Sequence, residues 1–226
     1  MTVILVVATF VIIIGVSLII QRIRAPEREK VPTSCEVKAG ITHTDFRLPK
    51  DAYFHPGHTW AMLQSSDFVW VGMDDFIQNL VDPISEVVPP DVGTEVVQGD
   101  PLASIKVDSM ELSVAAPVSG KILGVNQKIM SSLPALKTDA ITKQWIVNLK
   151  PTNLEKDLAR LSVTGKAKEW LSREIERLKE FLETQALRPQ LVGLTLQDGG
   201  EPVHGVLHSL DAEGLRQFEQ EFLRNK

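Results

Sequence analysis

The side chains in this sequence that can do chemistry are few. His55 and His58 lie three residues apart in HPGHTW, with His43 upstream. Two histidines at that spacing are half of a zinc set. No cysteine or carboxylate cluster completes it, and Pro56-Gly57 makes the segment a turn, so no metal is expected there. His204 and His208, in VHGVLH, stand at even spacing, which places both on one face of a strand. Nothing near them completes a site either, and they read as surface histidines. Cys35 is the single cysteine. It cannot close an internal disulfide, and this fits a reducing compartment. No nucleophile elbow, P-loop or dinucleotide fingerprint is present, and no Ser–His–Asp set has a supporting motif.

The stretch most shaped for chemistry is SIKVDSMELSVAAPVSG, residues 104–120. It contains the end of one short apolar piece, PLASIKV, and the whole of another, ELSVAA, ahead of Gly120. Ser109 stands between the two pieces. Lys106 stands three residues earlier, at an odd offset, so its side chain leaves the opposite face of the strand.

The elements that must hold this stretch are mostly short strands. TWAMLQ and FVWVGM flank Ser65-Ser66-Asp67 as a hairpin. DDFIQNLV places Phe76, Ile77, Leu80 and Val81 at helical spacing behind Asp74 as N-cap. ISEVV, TEVV, PLASIKV, ELSVAA, GKILGV and WIVNL follow, several of them separated by Gly93, Gly99 and Gly120. Such a series predicts a small barrel or sandwich. Thr152 and Glu155 are spaced as a capping box opening a helix over about 153–161. A longer helix follows over about 166–186. Its stripe is Leu171, Ile175, Leu178 and Leu182, widened by Trp170 and Phe181, with Glu169 and Arg173 as an i,i+4 pair. That helix lies on the barrel or pairs with another subunit. After Pro189, LVGLTLQ and VHGVLHSL read as a hairpin. DAEGLRQFEQEFL follows as an amphipathic helix with Leu215, Phe218 and Phe222 on one side. A hairpin and one helix are too small for a core of their own, so this extension packs on the main domain or on a partner.

Residues 3–20, VILVVATFVIIIGVSLII, carry no charge. Helical, they span about 27 Å, close to the hydrocarbon thickness of a bilayer. Arg22, Arg24, Arg28 and Lys30 follow the span, which places the rest of the chain on the cytoplasmic side. A single-pass anchor in the cell membrane is therefore expected, with a Pro-containing tether behind it. The net charge of −5 over 226 residues offers no basic face for nucleic acid.

The run VVQGDPLASIKVDSMELSVAAPVSGKILGVN resembles the biotinyl/lipoyl carrier domain. The matching positions are Val97, Gly99, Asp100, Leu102, Ile105, Met110, Glu111, Val114, Pro117 and Gly120. The flanks resemble the glycine-cleavage H protein in particular: HPGHTW, then VGMDDFIQNLVDPISEVVPPDVGTEV, then QWIVNL and PTNLEKDLARL. The resemblance covers about residues 50–183. It implies that a histidine of HPGHTW is structural, anchoring its turn by hydrogen bonds. It also puts the family's lipoylated lysine at Ser109, where a hydroxyl cannot form a stable amide. The Pro-Tyr-Gly loop that usually precedes the tryptophan is replaced by KTDAITKQW, which alters the surface where partner enzymes dock.

The expected architecture is an N-terminal transmembrane helix (1–22) and a linker (23–50). A mainly-β lipoyl/biotinyl-type barrel-sandwich hybrid (51–150), C-terminal helices (151–187) and a hairpin–helix extension (188–226) follow. The expected role is a non-enzymatic, non-lipoylated interaction or accessory subunit of a membrane complex, with no cofactor, metal or small-molecule ligand. Two alternatives stand beside it. One is a working carrier lipoylated at Lys106. The other is a ligand- or metal-binding regulatory domain built on the histidines.

Overall fold

In the strand-forming segments, apolar residues recur at the positions that face inward, and these strands assemble as two sheets. A computed structural model describes residues 46–65, 67–133, 136, 143–186, 202 and 204–224. The expected anchor, most of the linker, Cys35 and His43 lie outside the described residues, as does nearly all of LVGLTLQDGGEP. No helix among the described residues is long and apolar enough to cross a membrane.

Strands β1 (Ala52–His55), β2 (Thr59–Leu63) and β3 (Val69–Met73) form a meander, with the β2–β3 hairpin where the sequence places it. Helix α1 (Asp75–Leu80) follows, and the Asp74 carboxylate accepts from the Ile77 N–H at 3.2 Å as its N-cap. Then come β4 (Val87–Val88), β5 (Glu95–Val96), β6 (Pro101–Val107), β7 (Met110–Ala115) and β8 (Gly120–Val125). Helix α2 (Gln127–Ser131), β9 (Val147–Pro151), helix α3 (Leu154–Leu158), β10 (Ser162–Val163) and helix α4 (Thr164–Ala186) complete the main body. One sheet runs β10-β1-β2-β3-β9-β8-β5 and the other β4-β6-β7. Inward side chains of both sheets, among them Val71, Ile105, Leu112, Val114, Ile122 and Val147, share one apolar cluster. This is the expected mainly-β barrel-sandwich with C-terminal helices.

Four local expectations are corrected. The N-cap of α3 is Asn153, without a side-chain cap bond, so the Thr152–Glu155 capping box does not form. Glu169 and Arg173 make no ion pair among the described residues; on α4, Arg177 pairs with Glu174 and Lys179 with Glu176 instead. The end of the linker is docked rather than free. The backbone N–H of Arg47 and its guanidinium both donate to Asp75, and Phe46 and Leu48 pack on the core. Residues 204–210 of VHGVLHSL are not a strand: Gly205 adopts φ +73, and Val206–Ser209 form a 3₁₀ turn. A residue in left-handed backbone breaks the two-residue period on which the shared histidine face depended.

The C-terminal helix runs over Ala212–Phe218 (α5) and widens into a π-type turn over Glu219–Leu223. Phe218 and Phe222 stack with centroids 4.8 Å apart, and Phe181 of α4 meets both edge-on at 6.1 and 5.6 Å. All three belong to the apolar cluster of the barrel. The described part of the extension, residues 204–224, therefore packs on its own domain, as does α4 through Leu171, Ile175, Leu178 and Leu182. A small appendage without a core of its own reaches stability this way.

Candidate functional site

The β6–β7 hairpin turns as tightly as an antiparallel pair allows. Val107 pairs with Met110, so Asp108 and Ser109 alone make the turn. Asp108 takes left-handed backbone, φ +53, which an Asp side chain tolerates better than most. Ser109 is exposed at the tip.

Lys106 stands opposite Glu111 in the register and points away from the tip. Its Nζ donates to Glu86 Oε2 at 2.6 Å. The hydrogen bond to Glu86, and then the charge of Glu86, hold the ammonium above the usual lysine range. An amine held in that form is a poorer nucleophile, because only the neutral amine attacks.

His58 is fully buried in left-handed backbone, φ +59, and stacks between Phe76 (4.1 Å) and Trp170 (4.9 Å). Its Nδ1 lies 2.9 Å from the Asp74 carboxylate, so one aspartate caps α1 and fixes the turn. The histidine of HPGHTW is structural in this geometry. His55 Nδ1 accepts from the Gly57 N–H at 2.9 Å. Burial first, then the neighbouring His58, lower its pKa to about 4, so its ring is neutral near pH 7.

Ser109 and Lys106 thus share a hairpin without sharing a direction. His55 and His58 are neighbours, yet each is already committed to the backbone turn. No group of three His, Cys, Asp or Glu among the described residues is placed to hold a metal ion. Sequence reasoning missed one contact at the tip. His208 Nδ1 lies 3.2 Å from Asp108 Oδ1, and its Nε2 lies 3.0 Å from the Val81 carbonyl. No local signal announces a contact across 100 residues.

A barrel-sandwich whose longest hairpin presents a two-residue tip is the architecture of a carrier-type domain. The family model for the glycine cleavage H-protein matches residues 52–174. A probable glycine cleavage system H protein of Thermococcus kodakarensis is 35% identical over 117 residues, covering 52% of this chain and 87% of that one. One from Pyrococcus horikoshii is 32% identical over 127 residues, covering 56% and 94%. The glycine cleavage system H protein of Mycolicibacterium smegmatis is 29% identical over 103 residues, covering 46% and 79%. A crystal structure of an H protein from Mycobacterium marinum is also similar, at 23% identity and a TM-score of 0.43, covering 46% and 87%. This chain belongs to the glycine cleavage H-protein family.

Proposed function

We propose that this chain is a non-lipoylated H-protein-like module, held at the cell membrane by residues 3–20 and facing the cytoplasm. In this reading it serves as a protein-interaction subunit of a membrane complex and catalyses nothing itself. The observation that carries the reading is Ser109 at the exposed tip of the β6–β7 turn, where the family resemblance puts the lipoyl lysine. Amide attachment needs an amine at that tip, and the swinging arm needs the length of a lysine stem. A serine supplies neither.

A second reading starts from the relatives' name, glycine cleavage system H protein: a carrier of such a system, whose lipoyl group on this chain would have to be attached at Lys106. The Lys106–Glu86 pair argues against it, since attachment would have to break that pair and proceed away from the turn tip. The family's carrier chemistry has no other lysine on this hairpin to use.

Intact-mass measurement decides between the two. The chain is produced in a lipoylation-competent host beside Ser109→Lys. The native chain is expected unmodified, and Ser109→Lys is expected to gain a lipoyl increment. A lipoyl increment on the native chain would sink the interaction-module reading. Membrane attachment is checked by removing residues 1–22, which is expected to release the protein into the soluble fraction.

A further inference from the structure

The hollow beside the β1–β2 turn, about 370 Å³, is lined by donors and acceptors alike, among them His55, Gln98, Asp100 and Arg160, and so selects no ligand. The outer face of the seven-stranded sheet is more selective. Over β1 and β2 that face is covered, because Ala167 and Trp170 of α4 pack on Phe54, Trp60 and Met62. The cover ends at β3. Trp70 and Trp145 stack there with centroids 5.6 Å apart, both only half-buried. Trp70 pairs with Asn148 of β9, and beyond it the face opens. Lys150 on β9, Lys121 on β8 and Glu95 on β5 are exposed, and so is Leu123 at the bulge of β8, at 47%.

Two features of this strip call for something outside the chain. The first is charge. Lys121 and Lys150 stand directly opposite each other in the register, and like charges so placed repel. Neither ammonium has a hydrogen-bond or ion-pair partner among the described residues. Glu95 stands opposite Lys121 on the other side, yet it makes no ion pair with it. Glu95, with Asp91 ahead of it, lies toward the β5 edge, so the strip is cationic at its centre. An anion placed between the two lysines relieves their repulsion.

The second feature is apolar. Leu123 stands beside the lysines. Val92, 63% exposed, precedes Gly93, whose N–H donates to the Ile122 carbonyl at 2.8 Å. Lysine stems lie along such a surface while their heads reach past it. Cations, exposed aliphatic side chains and half-buried tryptophans on one face are the set that sits at a membrane–water interface.

We propose that this strip rests on the surface of an anionic bilayer, with Leu123 and the Trp70–Trp145 pair among the headgroups and Lys121 and Lys150 on lipid phosphates. The inference rests on the membrane-held reading above and deepens it. In that reading only residues 21–45 separate the span from the docked Phe46, a reach of at most about 90 Å even fully extended. The domain then stays at high effective concentration beside the bilayer, so a few weak contacts suffice.

The test uses the full chain with Cys35→Ser, reconstituted in phosphatidylcholine vesicles with and without phosphatidylglycerol. Leu123→Cys carries an environment-sensitive fluorophore. Val88→Cys, at a comparably exposed valine (39%) on the other sheet, carries it as the control. The emission from position 123 is expected to shift to the blue on the anionic vesicles alone, and that from position 88 on neither. Lys121→Gln with Lys150→Gln is expected to reduce the shifted fraction on the order of tenfold, since each lysine near an anionic surface is worth about fivefold. Equal shifts at both positions, or equal shifts on neutral and anionic vesicles, overturn the proposal. So does no shift at position 123, which would leave an acidic protein as the partner of the lysines. Flotation with neutral vesicles reads the anchor separately. A chain that floats without a shift keeps the anchor and loses this face, and one that shifts on anionic vesicles without floating on neutral ones does the reverse.

Discussion

His208 closes over the carrier-type turn from the far end of the chain, with Nδ1 3.2 Å from Asp108 Oδ1 and Nε2 3.0 Å from the Val81 carbonyl. His208 lies beyond residues 52–174, the part that matches the family model. The appended segment thus reaches the one turn that the family resemblance singles out, and it touches the residue there, Asp108, that takes left-handed backbone.

His208→Ala is expected to lower stability by only about 1 kcal/mol, because the pair is partly solvated. Its larger effect is local. Amide hydrogen exchange at Ser109 and Met110 should speed up relative to the β2–β3 hairpin. Uniform acceleration across both hairpins would mean that His208 has no particular hold on the turn.

Gly120 shows why the second turn of the hairpin motif ends in glycine. A Cβ there would stand 2.3 Å from the Lys150 carbonyl oxygen and 2.7 Å from Leu149 Cδ1, both on the neighbouring strand β9. The obstacle is backbone, which cannot rotate away. Gly120→Ala is expected to cost about 1–3 kcal/mol, the usual range for overpacking, read as a lowered midpoint in chemical denaturation. Gly99→Ala meets nothing within 4 Å, so it isolates the cost of φ +91. The Gly120 variant should be the worse of the two.

His55 supplies a pH dependence. Its folded pKa is lowered to about 4 by burial and then by His58, against 6.5 for the unfolded side chain. Between these values the unfolded chain binds more protons than the folded one, so stability rises with pH through that window. The contribution is complete above pH 6.5, falls as the pH drops toward 4, and levels off below. Its size is on the order of 3 kcal/mol. Denaturation midpoints at several pH values between 4 and 7.5 should show the slope, and His55→Gln should flatten it. An unchanged slope in the variant would assign the effect to other groups.

The strands and α1 were legible because their signals are local: alternation, turn glycines, and Asp74 three residues before Ile77. The tip at Ser109 was legible in another way, through the family resemblance that puts the lipoyl lysine there, and the register of the hairpin agrees with it. VHGVLH misled because its alternation is real, yet Gly205 leaves the extended region. Thr152 misled because the chain turns into helix one residue later, at Asn153. The hollow beside the β1–β2 turn was invisible for another reason. His55 ends β1 and Arg160 follows α3, and only tertiary packing brings both to its lining. The stripe of Phe218 and Phe222 was readable as a helix face, but nothing in it says which surface it covers.

Phe222 tests whether that surface is structural cement or a detachable cover. It is fully buried, 4.8 Å from Phe218, 5.6 Å from Phe181 and 6.3 Å from Phe76 of α1, with the Arg177 guanidinium 4.4 Å from its ring centroid. Phe76 in turn stacks on His58, so the aromatic chain runs from the C-terminal helix to the β1–β2 turn. Phe222→Ala is expected to destabilise the whole domain by about 3–5 kcal/mol, the range for emptying a buried aromatic site. Phe222→Leu should cost less, about 1–2 kcal/mol, because most of the volume is kept. The check is coincidence of two probes, tryptophan fluorescence for the core around Trp60 and far-UV circular dichroism for the helices. Both transitions should shift together in the alanine variant. A helix signal lost early, with the tryptophan transition unmoved, would show that residues 204–224 detach without unfolding the barrel.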